Sequence, residues 1–169
     1  MRIVVSDANC LCDLRKASML DSAFGLPHEF LMANTVFELE LLNFTAPEKK
    51  ALIRSGLKIV DLPGERIVRA QVMLRQFPQL SVHDGLTLAL AEMQPKGILL
   101  SNEDSMRVPA TSCSIKVHGI LWLLEELHRH RLTSVASTLD VLRTFSEDVT
   151  VRLPRRELAA YIRKYEGLS

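Results

Sequence analysis

Short apolar runs alternate with stretches of helical spacing along this chain, and that alternation leaves few folds open. Arg2-Ile3-Val4-Val5-Ser6 is nearly continuous in β-branched residues, the pattern of a central parallel strand covered on both faces. Phe30 to Ala33, Leu57 to Asp61, Ile98 to Ser101 and Ser114 to Val117 are the further strand candidates. Helical spacing runs from Asp7 to about Leu20 before Gly25-Leu26-Pro27, from Val36 to Asn43, and from Glu65 to Phe77, which Pro78 stops. Pro47 suits the first position of another helix. Ser81 to Met93 carries Leu86, Ala89, Leu90 and Met93 on one stripe, and Gly119 to His130, Val135 to Phe145 and Arg155 to Lys164 complete the set. This order predicts an α/β chain: a three-layer α/β/α arrangement with a central parallel sheet, right-handed crossovers and C-terminal helices.

Size and composition narrow the partners. A chain of 169 residues can bury one continuous core, and no apolar run approaches the roughly 18 residues that span a bilayer. The formal charge is +1, so nucleic-acid contact needs a local patch rather than a cationic chain. Arg129 and Arg131, Arg152, Arg155 and Arg156, and Arg163 with Lys164 are the candidates, and the simplest reading makes them solvated helix ends. With aromatics at 5%, a surface that binds chiefly by stacking bases is disfavoured. Three cysteines, an odd number with no leader sequence ahead of them, point to a reducing cytoplasm. Cys10 and Cys12 stand two apart, so on a helix they face away from each other and make a poor zinc site.

Four acidic stretches follow strands or open helices: Val5 to Asn9, Val36 to Leu39, Ser81 to Asp84, and Leu100 to Asp104. In one parallel sheet they gather at the carboxyl edge, where open α/β folds place their ligands. Each acid has a structural role available to it. Asp7 suits an N-cap, Asp84 completes a capping box with Ser81, and Glu103 and Asp104 sit where a helix dipole favours anions. Together they exceed what capping needs. A pocket of oxygen-only acids calls for a hard divalent cation, and such an ion suits attack on a phosphodiester.

At these residues the chain resembles a known family. Val4-Val5-Ser6-Asp7-Ala8-Asn9-Cys10-Leu11 is similar to the opening Asp-x-Asn-x-Leu motif of PIN-domain proteins. Leu80 to Ala91 closely resembles their third motif, and Leu31 to Leu39 resembles the segment that ends in a Glu-Leu pair. Leu99 to Glu103 is similar to the strand that ends in Thr-x-Asp, with Ser for Thr and Glu for Asp. The likeness covers about residues 1 to 120, and the remainder resembles the helical tails of some bacterial members.

The resemblance implies a PIN-like nuclease domain over 1–130 and a helical extension over 131–169 packed on the same domain. It implies a Mg²⁺- or Mn²⁺-dependent ribonuclease of the VapC-like branch, with Asp7, Glu38, Asp84 and Glu103 as catalytic and metal-site acids. Asn9, Ser101 and Asp104 are the supporting residues. RNA is the implied substrate, a cognate antitoxin and a second copy of the chain are the implied protein partners, and no membrane is expected.

Three choices within this set are open to test. Glu103 matches the register of the fourth acid but is a methylene longer than aspartate, which keeps Asp104 in contention. Glu40 rivals Glu38, and two residues apart on a helix they cannot face one site. His83 beside Asp84 suggests a general base, which metal-assisted hydrolysis does not require. A non-catalytic PIN-fold interaction module and a metal-dependent nuclease acting on DNA are the alternative functions. Trp122 and its leucine-rich helix are read as core before interface.

Overall fold

The computed structural model describes all 169 residues. Five strands, β1 (Arg2–Ser6), β2 (His28–Ala33), β3 (Lys58–Val60), β4 (Ile98–Leu100) and β5 (Lys116–His118), form one parallel sheet in the order β3-β2-β1-β4-β5. Val4, Val5, Leu99 and Leu100 have no solvent exposure, which is why the two central strands read as unbroken apolar runs. The edge strands β3 and β5 are short and each begins with an exposed lysine, a composition that discourages pairing with another sheet.

The chain builds outward from β1 to β3, then returns to the other side of β1 to lay down β4 and β5. The strand order therefore reverses between β1 and β4, and a crevice opens beyond their carboxyl ends. Register makes the two ends level. Ser6 pairs with Leu100, the Asp7 amide donates to the Leu100 carbonyl at 3.1 Å, and the Ser101 amide donates to the His118 carbonyl at 2.9 Å.

Ten α-helices surround the sheet: α1 (Ala8–Lys16), α2 (Leu20–Phe24), α3 (Asn34–Glu40), α4 (Ala46–Ser55), α5 (Gly64–Gln76), α6 (Val82–Glu92), α7 (Arg107–Ser112), α8 (Ile120–Arg129), α9 (Val135–Glu147) and α10 (Arg155–Glu166). In α6 every residue from Gly85 to Ala91 is buried, so this helix passes through the interior rather than lying on it. Gly85 lets α5 come close, because a Cβ there would lie 3.2 Å from the Leu74 side chain and 3.3 Å from the Ala70 carbonyl. Leu139, Leu142 and Phe145 of α9 and Leu158 and Tyr165 of α10 belong to the same apolar cluster as the sheet. Leu123, Leu124 and Leu127 of α8 are buried there as well, which makes the leucine stripe core, while Trp122 is half-buried. No helix is long and apolar enough to cross a membrane.

The chain departs from the sequence reading at three places. The helix expected to run to Leu20 stops at Lys16, because Ser18 takes φ 55° and α2 starts afresh. The last strand begins at Lys116 rather than Ser114, where φ is 58°. Arg107–Ser112 is a helix although Pro109 interrupts it; the proline falls in the first turn, where its missing N–H has no helical partner to lose.

Candidate functional site

Asp7 leaves the end of β1 and caps α1, its Oδ1 accepting from the Cys10 amide at 2.8 Å. That bond uses one oxygen only. Oδ2 is buried and has no hydrogen-bond partner, and the whole residue is only 6% exposed. Burial pushes the carboxyl up to about 6; the nearby Ser101 hydroxyl and donation from Cys10 pull it back in part, and the charge of Glu103 pushes it further. A cap aspartate needs none of this desolvation, so capping alone does not account for where the side chain sits.

Ser101 and Glu103 leave the end of β4 beside it. Ser101 is fully buried, accepts from the Glu103 amide at 3.1 Å, and otherwise has only the weak acceptor Met106 Sδ at 3.8 Å for its proton. Its hydroxyl is thus available to the Asp7 carboxylate. Glu103 turns inward, with Oε1 accepting from Asn9 Nδ2 at 2.8 Å and Oε2 lying 3.8 Å from Arg152 Nη1. Asp104 turns out, its side chain 87% exposed and paired with Arg107 at 3.2 Å. Of the two rivals for the fourth position, the structure brings Glu103 to Asp7 and leaves Asp104 in solvent.

Asp84 comes from the first turn of α6. It closes a capping box, accepting from the Ser81 amide at 2.9 Å while its own amide donates to Ser81 Oγ at 3.1 Å. Glu40 approaches from α3. Partial desolvation raises its pKa first, with further repulsion from Asp84 and Glu103 against a lowering by His83. Glu40 thus feels the charges of His83, Asp84 and Glu103 across the edge of the sheet. Glu38 and Glu40 both carry exposed side chains, and the Glu38 backbone carbonyl accepts from Lys49 Nζ at 3.3 Å. Their headings differ, since Val36, Phe37 and Leu41 face the core and Glu40 follows Val36 by one turn.

Three of the four buried side-chain atoms without a partner, Asp7 Oδ2, His83 Nδ1 and Asn102 Nδ2, belong to this edge. Orphans of that kind need an explanation, and a bound cation or substrate supplies one. The acids do not close into a cage: nowhere do three His, Cys, Asp or Glu side chains converge tightly enough to hold an ion unaided. Mg²⁺ asks for less, since it keeps several waters and takes one or two carboxylates. The donors nearest the crevice are oxygens. Cys10 is held as a neutral thiol, its pKa raised well above the ordinary value by burial and by Asp7, so it offers no soft ligand. These oxygen donors are of the type a hard divalent ion takes, and Asp7 Oδ2 is the buried carboxylate oxygen among them that has no partner.

Two neighbours were not legible as site residues. Asp13, one turn beyond Asn9, is 6% exposed and raised to about 6 by burial, with Lys16 lowering it and Asp148 and Glu103 raising it. Arg152 reaches Glu103 from the segment between α9 and α10, a contact across chain ends that no local motif announces.

A family model described as a PIN domain matches residues 3–166, nearly the whole chain. No curated protein matches it.

Proposed function

We propose that this chain, which belongs to the PIN-domain family, is a divalent-metal-dependent endoribonuclease that hydrolyses RNA phosphodiester bonds and serves as the toxin of a type II toxin–antitoxin pair. PIN domains are usually metal-dependent nucleases, so hydrolase chemistry is the family's ordinary expectation. The observation that carries the reading is Asp7: a buried carboxylate with one oxygen unpartnered, at the point where the strand order reverses.

Asp7 and Glu103 are the residues proposed to hold Mg²⁺ or Mn²⁺ from the strand side, and Asp84 and Glu40 from the helix side. Here Glu40 is proposed in place of Glu38, the second acid that the resemblance implies. When bound, the ion supplies Lewis-acid stabilisation of the phosphate and an acidified water. The chain's own residues do the positioning. Ser101 orients Asp7, Asn9 fixes the rotamer of Glu103, and the capping box holds Asp84 while leaving its Oδ1 free. Arg152 offsets charge at the rim.

The test is cleavage of single-stranded RNA with added Mn²⁺, compared with flap DNA. RNA cleavage by the wild type that disappears in Asp7→Asn and Asp84→Asn, with circular dichroism unchanged, is the expected result. Wild-type activity in both variants would sink the reading, and cleavage of DNA alone would move the substrate. Growth arrest on induced expression, absent in Asp7→Asn, is expected of a toxin. The spacing of the acids favours one second reading, a PIN-fold interaction module partnered by another copy or by an antitoxin-like protein. A calorimetric titration that finds no divalent-ion binding at millimolar concentration would select it.

A further inference from the structure

Two cavities open side by side beyond Glu103. The outer one, about 490 Å³, is walled by Glu103, Asp104, Ser105 and Arg152. The inner one, about 200 Å³, lies between α8 and α10 and is lined by Arg107, His118, Trp122, Glu157 and Tyr161. Asn102, Leu153 and Pro154 line both, so the two make one trough that leads away from the carboxylates. Its floor is built. Asn102 Oδ1 accepts from the Ile120 amide at 2.9 Å, and only glycine at 119 permits this, since a Cβ there would lie 2.4 Å from that oxygen. The His118 ring is held flat against Trp122, with centroids 4.5 Å apart and planes 12° apart.

We propose that this trough is the subsite for the nucleotide adjoining the scissile phosphate of a single-stranded RNA, with a backbone phosphate at Arg152 and the base in the inner cavity beside His118, Trp122 and Tyr161. The inference rests on the nuclease reading and deepens it. Lining suits the inner cavity to a ring: at about 200 Å³ and flanked by His118, Trp122 and Tyr161, it has room for one planar ring system. Each cavity has one arginine, and Arg152 in the outer one is the freer, since Arg107 in the inner one is held by Asp104 at 3.2 Å. The Arg152 side chain is 80% exposed and its ion pair with Glu103 is long at 3.8 Å, so it can turn to a phosphate at little loss. Glu157, exposed on the inner rim, repels phosphate and accepts from the donor edge of a base. A base can enter only if it is splayed from its strand, which excludes a continuous duplex.

Trp122 is the only tryptophan and lines the inner cavity, so a base that enters there is expected to change its emission. Rapid mixing with a short single-stranded RNA in Mg²⁺, read before turnover, is expected to change Trp122 emission. An oligonucleotide with the same phosphates but abasic sites is expected to leave it unchanged. Arg152→Gln is expected to weaken RNA binding several-fold and to lower the slope of log K against log salt by about one. Cleavage of the same RNA separates the two claims. Cleavage with unchanged emission, or with Arg152→Gln keeping the wild-type affinity and salt slope, overturns the subsite and leaves the nuclease reading standing. A base-dependent emission change without cleavage supports base binding in the trough but removes the nuclease reading and, with it, the place beside a scissile phosphate. Neither emission change nor cleavage overturns both.

Discussion

The two sides of the crevice are built differently. Asp7, Ser101 and Glu103 come off strand ends, locked by backbone register and by contacts to Cys10 and Asn9, and Asp7 is nearly dry. Glu40, His83 and Asp84 come off helix ends, stand partly in water, and Asp84 spends one oxygen on its cap. Strand ends fix position; helix ends supply reach. The dry side holds a charge that the fold alone does not stabilise, so a cation there should alter stability as well as activity. The wet side should alter activity only.

Asp7→Asn is the strongest way to break that contrast. Loss of the anchoring carboxylate is expected to lower kcat/KM by on the order of 10³-fold, while the metal-free protein becomes more stable at neutral pH. The sign follows from the folded pKa of about 6 against 3.8 for the free side chain. The native state binds the extra proton between those values, so stability falls as pH rises from about 4 to 6 and the full cost, about 3 kcal/mol as an upper figure, is present above 6. Asp13, also raised to about 6, adds a slope of the same sign. Urea unfolding in chelator across that range is expected to show a shallower decline in Asp7→Asn than in wild type.

Asp84→Asn probes the other side. Activity should fall about 10²- to 10³-fold, yet stability should stay within about 0.5 kcal/mol, because asparagine can still accept from the Ser81 amide. Melting temperatures of the two variants, compared without metal, therefore diverge if the sides differ as described. Glu40→Gln is expected to reduce kcat by about 10- to 100-fold, and Glu38→Gln to leave it unchanged. The reverse result would return the second acid to Glu38. Asn9→Ala, which frees Glu103 without touching a ligand oxygen, should lower metal affinity about tenfold, with Asp104→Asn without effect.

Much of this edge could be read from the chain because strand ends are marked by short-range signals. An apolar β-branched run followed by Asp or Ser fixes where a side chain leaves the sheet, as at Asp7 and Ser101, and the capping box of Ser81 with Asp84 marks a helix start just as locally. Helix rotation is harder. Glu38-Leu39-Glu40-Leu41 repeats the same pair twice, and only tertiary burial tells them apart: Leu41 has no exposure and Leu39 is 57% exposed, which sets Glu40 beside the buried stripe. Glu103 and Asp104 were separated by the chain's turn after Ser101, which the Ser101 hydroxyl holds at the Glu103 amide. Arg152 and Asn102 were out of reach because their contacts depend on where α8 and α10 land, far along the chain from β4. The short helix at Arg107–Ser112 was hidden by Pro109, a residue that ends helices only when it falls past the first turn.

The central claim is that Asp7 keeps an unpartnered oxygen for a divalent cation, and a carboxyl-carbon NMR titration of Asp7 with and without millimolar Mg²⁺ tests it most directly. The account predicts a midpoint of about 6 in chelator and a midpoint below the ordinary aspartate value of about 3.9 once Mg²⁺ is present, since a bound cation favours the ionised form. The same midpoint in both conditions would contradict it.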